Sequence, residues 1–394
     1  MSSPFARYRA FFREPDVVPL LAMAFAARMP IGMLALALLM HLRSLSGSFA
    51  VAGGIVGAYM VAMAIGAPIQ GRLVDRYGPT WVLRVNGVVH PLALVAILAT
   101  RQTSPAYLTA WAVVAGAFMP PIAVLTRTVW RYRFEHDARR MAFALDAVLI
   151  ELNYTLGPAL IALLLAVASP RVALAGAVLF AATAAPLYLA SPAQRYWKRE
   201  PRGKRHFLGP LTEPQLLLIF ASNFALTCGL GLLEVSYPGF AARSGQPALG
   251  GVLIAVNSLG SAAGGVAYGG MHLARPLPHQ LRALLIALAV PLVLHAFIGS
   301  FGWLLPLAFV AGLLIAPSFA IFSMLVAQHA PPRYATEAFT WATTGIVAGI
   351  GTGMAIGGTL IEQGGPTVAF LASAASVLVA GLLATLVRGK PGPH

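Results

Sequence analysis

Four ionisable side chains lie inside long apolar runs of this chain, where an isolated charge is costly. Arg28 lies in the first run, Asp146 and Glu151 lie in the fifth, and Glu234 lies in the seventh. Burial favours the protonated form of a carboxyl group, whereas a neighbouring guanidinium favours the ionised form. An Arg–Glu pair that forms and breaks would therefore couple the movement of a proton to a change of conformation.

Arg28 and Glu151 are the pair that we expect to carry this chemistry. Each lies about ten residues into its predicted helix, and at ~1.5 Å of rise per residue both reach a similar depth. Ionisable groups at that depth are functional candidates by default. A fixed structural ion pair is the alternative, as is an arginine that only faces a water-filled cavity.

The other two carboxylates have different expected roles. Asp146 lies nearer the start of its helix, and we expect it to pair with Arg127, Arg131 or nearby loop arginines. Glu234 comes late in the seventh run, where it would be a second proton site or part of an outer gate. A simple ion pair of Glu234 with Arg243 is the alternative.

Polar residues without charge complete the candidate cavity. Asn153, Asn223 and Asn257 lie in three different apolar runs, although interhelical hydrogen bonds explain such residues equally well. The single cysteine, Cys228, excludes an internal disulfide, and there is no HExxH motif, nucleotide-binding loop or cysteine cluster. We therefore expect no cofactor, no metal site and no enzymatic activity, with protons and a small-molecule substrate as the partners.

The composition indicates an integral membrane protein. Of the 394 residues 58% are hydrophobic and only 10% are charged, and the mean hydropathy is +0.78. A net charge of +15 marks cytoplasmic loops in such a protein rather than a site for nucleic acid. Windows of about 20 apolar residues predict twelve spans. Their expected bounds are 17–42, 49–70, 80–100, 105–128, 141–168, 171–190, 213–240, 247–270, 280–299, 303–327, 335–361 and 366–387.

A long polar interruption divides the spans into two sets of six. Residues 1–190 form the predicted N-terminal half, 191–212 a cytoplasmic linker, and 213–394 the C-terminal half. Of the 27 Lys and Arg residues, 22 fall in the termini, the linker and the loops on the same side, and four fall in loops on the other side. The positive-inside rule therefore places both termini and the linker in the cytoplasm.

The two halves repeat each other. The string VAGAFMPPIAVL, which begins at residue 114, aligns without a gap with VAGLLIAPSFAI, which begins at residue 310. The same offset of 196 relates Ala142-Phe143 to Ala338-Phe339. A parallel repeat of six-helix halves is a transporter architecture in which the substrate binds between the halves. The fold class is thus an all-α membrane protein with twelve transmembrane helices in two pseudo-symmetric halves.

A charged motif follows the second span. Residues 71–79 read GRLVDRYGP, and they resemble a signature of the major facilitator superfamily at Gly71, Leu73, Asp75, Arg76 and Gly78. The last position, usually basic in that family, is proline here. The resemblance implies that Asp75 and Arg76 form a charge relay that locks the cytoplasmic ends of the halves together. A loop that is merely solvated is the alternative. The second half holds only a degenerate copy without an acidic residue, which implies a gate that is weaker or differently built.

Two further resemblances point to the branch of twelve-helix drug–proton antiporters and sugar-efflux transporters. Arg127, with Arg131 one turn later, matches the arginine that these families place in the fourth span. Gly157-Pro158 matches their fifth-span motif, although Asn153 replaces a usual glycine. The superfamily also brings spans 2 and 11, and spans 5 and 8, together across the halves. Glycines at four-residue spacing fit such contacts, at 345, 349, 353 and 357, at 260 and 264, at 265 and 269, and at 53 and 57.

The leading functional hypothesis is proton-coupled efflux of small amphiphilic or sugar-like compounds by a monomer in the inner membrane. Proton-coupled uptake and lipid translocation on the same fold are the alternatives. A receptor or an intramembrane enzyme is a different class, since a fold does not determine a function. No metal or nucleophile constellation supports the enzyme.

Overall fold

The computed structural model describes residues 4–100, 104–197, 209–246, 249–271, 273 and 275–389. Helices make up almost all of these ranges, as expected for backbone in a bilayer, where each N–H and C=O group needs a partner within its own segment. A short amphipathic helix, Pro4–Arg13, precedes the first span. Two short 3₁₀ helices, Pro192–Tyr196 and Gly209–Thr212, flank residues 198–208 of the predicted linker, which lie outside the described residues.

The first six spans form the N-terminal half. Span 1 is broken into two helices and span 4 likewise, while spans 2, 3, 5 and 6 are continuous. In chain order the helices are Val17–Ala26 and Met29–Ser46 (span 1), Phe49–Tyr77 (span 2), Pro79–Ala99 (span 3), Pro105–Ala117 and Ile122–Arg133 (span 4), His136–Val167 (span 5) and Pro170–Ala190 (span 6).

The C-terminal half is built in the same way. Its helices are Pro214–Arg243 (span 7), Leu249–Gly270 (span 8), Leu277–His295 (span 9), Phe301–Gly312 and Ile315–His329 (span 10), and Ala335–Thr385, which contains spans 11 and 12. By length and composition, eleven stretches of the described chain are able to cross a membrane, the last of them Pro332–Thr385.

That last stretch is a hairpin of two spans. Gly365 has φ 81° and ψ 179°, a left-handed conformation that breaks the helix before Pro366. The imidazole of His329, six residues before span 11, contacts the carbonyl of Arg388, just after span 12, at 2.9 Å. Both ends of the stretch therefore lie at the same end of the bundle, and the described chain has twelve spans. The predicted fold class is confirmed.

The breaks in spans 4 and 10 confirm that the halves repeat. Span 4 is interrupted after Ala117 and span 10 after Gly312, within the two strings that align at the offset of 196. The rings of Phe143 and Phe339, which the same offset relates, meet with centroids 6.2 Å apart. Equivalent residues touch only near the axis that relates the halves, so spans 5 and 11 approach each other there.

Two predicted helix bounds differ from those in the structure, and each difference changes which side chains can meet. Span 2 continues to Tyr77, so the charged motif forms the last two turns of a helix, and Gly78 (φ 87°) alone connects it to span 3. Span 5 begins at His136 rather than at residue 141. Hydropathy windows exclude charged ends of helices, although charged side chains are easily placed where a helix leaves the bilayer.

The two halves are in close contact at one end and diverge at the other. The closed end, which carries the N-terminal helix and the residues flanking the linker, is termed the linker end, and the opposite one the far end. Residues 141–148 of span 5 and 334–340 of span 11 are almost completely buried, whereas residues 154–156 and 354–356 are exposed. Side chains of the same helices thus become exposed toward the far end, where a cleft opens between the halves.

The glycines divide between two kinds of contact. On span 8, Gly265 and Gly269 lie against Val148 and Ala144 of span 5, as the expected contact across the halves requires. Glycines 349, 353 and 357 of span 11 instead lie against span 7. A Cβ atom added to Gly353 would clash with the carbonyl oxygen of Cys228. The expectation that this row faces span 2 is wrong, because span 11 packs mainly within its own half.

Candidate functional site

Asp75 closes the linker end by capping a helix of the other half. Its Oδ1 accepts a hydrogen bond from the backbone N–H of Thr336 at 3.0 Å, and its Oδ2 accepts one from Glu337 at 2.8 Å. These N–H groups open span 11, where they have no partner within the helix. The positive end of the helix dipole also favours a carboxylate at this place. One side chain thus joins spans 2 and 11 only while the linker end is closed.

A second contact beside it uses Arg72 and Glu337. The Arg72 Nη2 and Nε atoms donate to Oε1 of Glu337 at 2.6 and 3.2 Å, and Glu337 is 0% exposed. Gly71 lies against Glu337 and Thr340, so a larger residue there would push span 11 away. Sequence reasoning missed Glu337, since a Glu in the first turn of a helix is ordinary. Its position next to Ala338-Phe339, the pair that repeats Ala142-Phe143, was the available signal.

Arg76 does not belong to this contact. Its side chain is exposed, and its guanidinium carbon lies 5.2 Å from the ring centroid of Tyr77. The relay expected from Asp75 and Arg76 is therefore formed by Asp75 and Arg72 in this structure. Span 2 stays helical through the motif, and the side chains of Arg72 and Asp75 reach span 11, whereas that of Arg76 is exposed.

The equivalent corner of the second half is built with the opposite polarity. Arg140, the repeat counterpart of Thr336, donates to the carbonyls of Met271 at 3.0 Å and Leu273 at 3.1 Å. The hydroxyl of Tyr8 in the N-terminal helix donates to the carbonyl of Val266 at 2.6 Å. Here the arginine satisfies carbonyls at the end of span 8, whereas Asp75 satisfies N–H groups at the start of span 11. The expected different construction of the second corner is thus seen directly.

Span 4 supplies further contacts across the linker end. Nη2 of Arg131 donates to the carbonyl of Ala330 at 2.7 Å, and Nη1 of Arg127 lies 3.5 Å from Oγ1 of Thr343. Arg131 was predicted at this gate, and its contact with the carbonyl that precedes span 11 places it there. Arg127 also reaches inward, to the carboxylate described next.

Asp146 is the centre of a buried network in the N-terminal half. Its Oδ1 accepts from Nη2 of Arg28 at 2.7 Å and from Nε1 of Trp130 at 2.9 Å, and its Oδ2 accepts from Nε of Arg127 at 3.1 Å. Arg28 and Trp130 are 0% exposed. Two guanidiniums thus share one carboxylate, and the network joins spans 1, 4 and 5 with a net positive charge.

The expected Arg28–Glu151 pair is not formed in this conformation. Arg28 lies eleven residues beyond Val17 and Asp146 lies ten residues beyond His136, whereas Glu151 is five residues farther along the helix. At ~1.5 Å of rise per residue, Arg28 and Asp146 lie at equal depth. The earlier start of span 5 therefore changes the partner of Arg28 from Glu151 to Asp146. The expected pairing of Asp146 with Arg127 is present beside it.

Two carboxylates from different halves face the open cleft. Oε1 of Glu151 accepts from the hydroxyl of Ser261 in span 8 at 3.0 Å. Glu234 of span 7 is exposed, although its span lies in the bundle interior, and it interacts electrostatically with Glu151. Tyr154, one turn beyond Glu151, interacts with both carboxylates and is 54% exposed. These side chains border the space between the halves at mid-depth.

Arg243 does not pair with Glu234. Its guanidinium lies directly against Gly365 at the turn between spans 11 and 12. Among the described residues Glu234 has no ion pair. Glu234 is therefore directed at the cleft rather than held by the loop at the far end.

The three asparagines have different surroundings. Asn223 of span 7 and Arg127 of span 4 line one small cavity between the halves, together with Ser323 and Phe339. The amide of Asn257 donates instead to the carbonyl of Ala308 at 2.9 Å, which fixes span 8 to span 10. Asn153 donates to the carbonyl of Leu149 and is buried against span 1. Of the three, only Asn223 reaches the space between the halves.

The Gly157-Pro158 motif lies at the contact between spans 5 and 1. A Cβ atom added to Gly157 would lie only 2.8 Å from the Cα of Gly32. Any side chain at residue 157 would therefore separate the two helices. Pro158 lies within span 5, where it removes one backbone hydrogen bond. The pair thus fixes how closely span 5 packs against span 1.

We expect Asp75→Asn to open the linker end. The amide keeps the shape but loses the charge and one acceptor, and hydrogen bonds to a charged group contribute about 1.5–3 kcal/mol. The conformational equilibrium should shift on the order of tenfold or more. A cysteine at Thr128, which is buried between the halves, would then react faster with a thiol reagent in detergent. Arg76→Gln is the matched control, and equal reactivity in Asp75→Asn and the parent protein would contradict the capping role.

Comparisons with known proteins agree with this architecture. The family model described as Major Facilitator Superfamily matches residues 20–345. No curated protein sequence matches the chain. Among solved structures, the E. coli fucose:proton symporter aligns with a TM-score of 0.77 at 12% identity, covering 95% of this chain and 98% of that one.

Two other solved structures have different cargoes. A bacterial homologue of the iron transporter ferroportin, in its outward-facing state, aligns with a TM-score of 0.75 at 12% identity over 93% of this chain and 98% of that one. The human organic anion transporter MFSD10 aligns with a TM-score of 0.69 at 17% identity over 94% and 100%. The family match over residues 20–345, together with the twelve spans, shows that the chain belongs to the Major Facilitator Superfamily.

Proposed function

We propose that this chain is a proton-coupled secondary transporter that exports small amphiphilic or sugar-like compounds by alternating access. The observation that carries the proposal is the pair of carboxylates, Glu151 and Glu234, that border one open cleft from the two halves. Carboxyl groups that exchange between water and a closed interior gain and lose protons as their surroundings change. A substrate bound between the halves would compete with a proton for the same two groups.

The gate supports alternating access. Every contact described across the linker end, including those of Asp75, Arg72 and Arg131, must break when that end opens. Side chains of span 5 and span 11 are already exposed at the far end. Rocking of the halves about the mid-depth contact of Glu151 with Ser261 would exchange one open end for the other.

The expected orientation places the linker end in the cytoplasm of the inner membrane. The 22 basic residues on the linker side against four on the far side support it. With that orientation the structure is an outward-open state, which is also the state of the ferroportin homologue that aligns with it. We propose that the chain works as a monomer in this membrane, since each of the groups named above comes from one chain.

A labelling experiment tests the orientation. Arg195→Cys, at an exposed side chain of the linker end, should react with an impermeant thiol reagent only after the membrane is opened. Ser300→Cys at the far end is the control and should react in intact cells. The background chain would carry Cys228→Ala, which removes a buried thiol. Reaction of Arg195→Cys in intact cells would reverse the orientation and turn the proposed outward-open state into an inward-open one.

Proton-coupled uptake is the second candidate, since the fucose:proton symporter shares the fold. Transport into proteoliposomes under an imposed pH gradient distinguishes proton-coupled uptake from proton-coupled export. With cationic, neutral and sugar-like compounds as probes, an antiporter accumulates its substrate when the lumen is acidic, and a symporter when the outside is acidic. Accumulation that is independent of the gradient would count against proton coupling in either direction.

A further inference from the structure

The lipid-facing stripes of spans 2 and 3 end in arginines at the linker end. On span 2, Val61, Ile65 and Ile69 recur every four residues with more than half of their surface exposed. Arg76 lies seven residues after Ile69 and so continues the same face of the helix. The exposed residues on span 3 are Trp81, Arg84, Val88, Leu92, Val95 and Ala99, at spacings of three or four. Both arginines therefore lie on exposed surfaces that face acyl chains, and among the described residues neither forms an ion pair with span 11.

Two aromatic side chains lie between these arginines in the sequence. The guanidinium carbon of Arg76 lies 5.2 Å from the ring centroid of Tyr77, and the Tyr77 ring lies 6.2 Å from the ring of Trp81. Tyr77 is 48% exposed and Trp81 is 55% exposed. Tyrosine and tryptophan at the ends of membrane spans occupy the headgroup region. The cluster Arg76, Tyr77, Trp81 and Arg84 is termed the boundary cluster.

The boundary cluster carries two positive charges with no acidic partner among the described residues. Neither Arg76 nor Arg84 forms an ion pair there. The carboxylate closest in sequence, that of Asp75, is occupied by span 11. Gly78 is the only residue between the two helices, so both arginines are held at the same edge of the bundle.

We propose that the boundary cluster binds the headgroup of an anionic phospholipid. The planar guanidinium matches the geometry of a phosphate with two parallel hydrogen bonds. A zwitterionic headgroup would neutralise only part of the charge of two arginines, because its own ammonium or choline group repels them. The acyl chains of the same lipid would lie along the apolar parts of the two stripes. Arg76 belongs to the charged motif at residues 71–79 but does not contact span 11. Its role is thus at the lipid boundary.

Binding of phosphatidylglycerol to the purified chain in detergent tests the proposal, with phosphatidylcholine as the comparison lipid. Native mass spectrometry counts bound lipids at increasing lipid concentration. We expect the parent chain to prefer phosphatidylglycerol, and the double variant Arg76→Gln/Arg84→Gln to bind it about tenfold more weakly. Trp81→Ala should weaken binding to a lesser degree, because it removes stacking and acyl contact but no charge.

Arg282→Gln provides the matched control, since Arg282 is an exposed arginine near the start of span 9 at the same end of the bundle. It should leave binding of phosphatidylglycerol unchanged. Thermal unfolding without added lipid checks that the exposed substitutions preserve the fold. Equal binding of both lipids to the parent chain would overturn the proposal. So would an equal loss in Arg282→Gln, which would indicate a diffuse surface potential rather than a site.

Discussion

Glu151→Gln is expected to abolish proton-driven transport and to preserve counterflow. A pH gradient of one unit supports about tenfold accumulation for each proton exchanged. The variant should show none of this accumulation, because a glutamine cannot exchange a proton. Counterflow, in which substrate exchanges for substrate without net proton movement, needs only a cavity of the right shape. Accumulation and counterflow are measured on the same proteoliposomes, with and without an imposed pH gradient.

The geometry explains why counterflow should survive. Glutamine is close to glutamate in size, and its side-chain oxygen still accepts the hydrogen bond from Ser261. The contact between spans 5 and 8 is therefore kept, and it still joins the two halves at mid-depth. Loss of counterflow together with coupling would indicate that Glu151 holds the substrate or the fold rather than the proton.

Glu234→Gln is the matched comparison. Glu234 interacts with Glu151 and Tyr154 but has no hydrogen bond to the opposite half among the described residues. If Glu234→Gln abolishes coupling and Glu151→Gln does not, the proton site belongs to span 7. If both variants keep full dependence on the gradient, neither carboxylate carries the proton. Asp146 is not an equivalent third candidate, because two guanidiniums and an indole N–H already hold its carboxylate.

Much of the architecture could be predicted because it depends on local properties of the chain. Apolar length predicts the spans, and the repeat at 196 residues predicts the equivalent breaks in spans 4 and 10. The resemblance to the family predicts that Asp75 joins the ends of the halves, although as a relay with Arg76 rather than as an acceptor of backbone N–H groups. These features require no knowledge of how one helix is rotated against another.

The partners of the buried charges could not be predicted in the same way. A shift of five residues in the start of span 5 moves Asp146 to the depth of Arg28 and leaves Glu151 without it. About 100° of helix rotation separates Arg76 from Asp75, but only about 40° separates it from Arg72. Helical spacing alone therefore does not show which arginine contacts span 11. Glu337 is indistinguishable from any acidic residue in a first helical turn until Arg72 is seen beside it.

The Asp146 network leads to the second large effect, on stability. Asp146→Leu should destabilise the N-terminal half more than the loss of either arginine. It leaves Arg28 and Arg127 buried together without a counter-charge, and breaking a buried pair from one side costs about 3–5 kcal/mol. The expected result is a large drop in the midpoint of thermal unfolding and in the yield of folded protein from detergent extracts.

Arg28→Met provides the contrast, because it removes one of two cations that share a single anion. Asp146 then keeps the guanidinium of Arg127 at 3.1 Å and the indole of Trp130 at 2.9 Å, and the network becomes neutral. Methionine fills much of the space of the arginine stem, so the substitution leaves only a small cavity and a small loss of stability from it. We therefore expect Arg28→Met to unfold closer to the parent protein than Asp146→Leu, and the double variant Arg28→Met/Asp146→Leu to recover part of the loss. If Arg28→Met is as damaging as Asp146→Leu, the second guanidinium does not compensate, and the network is held by the Arg28–Asp146 pair alone.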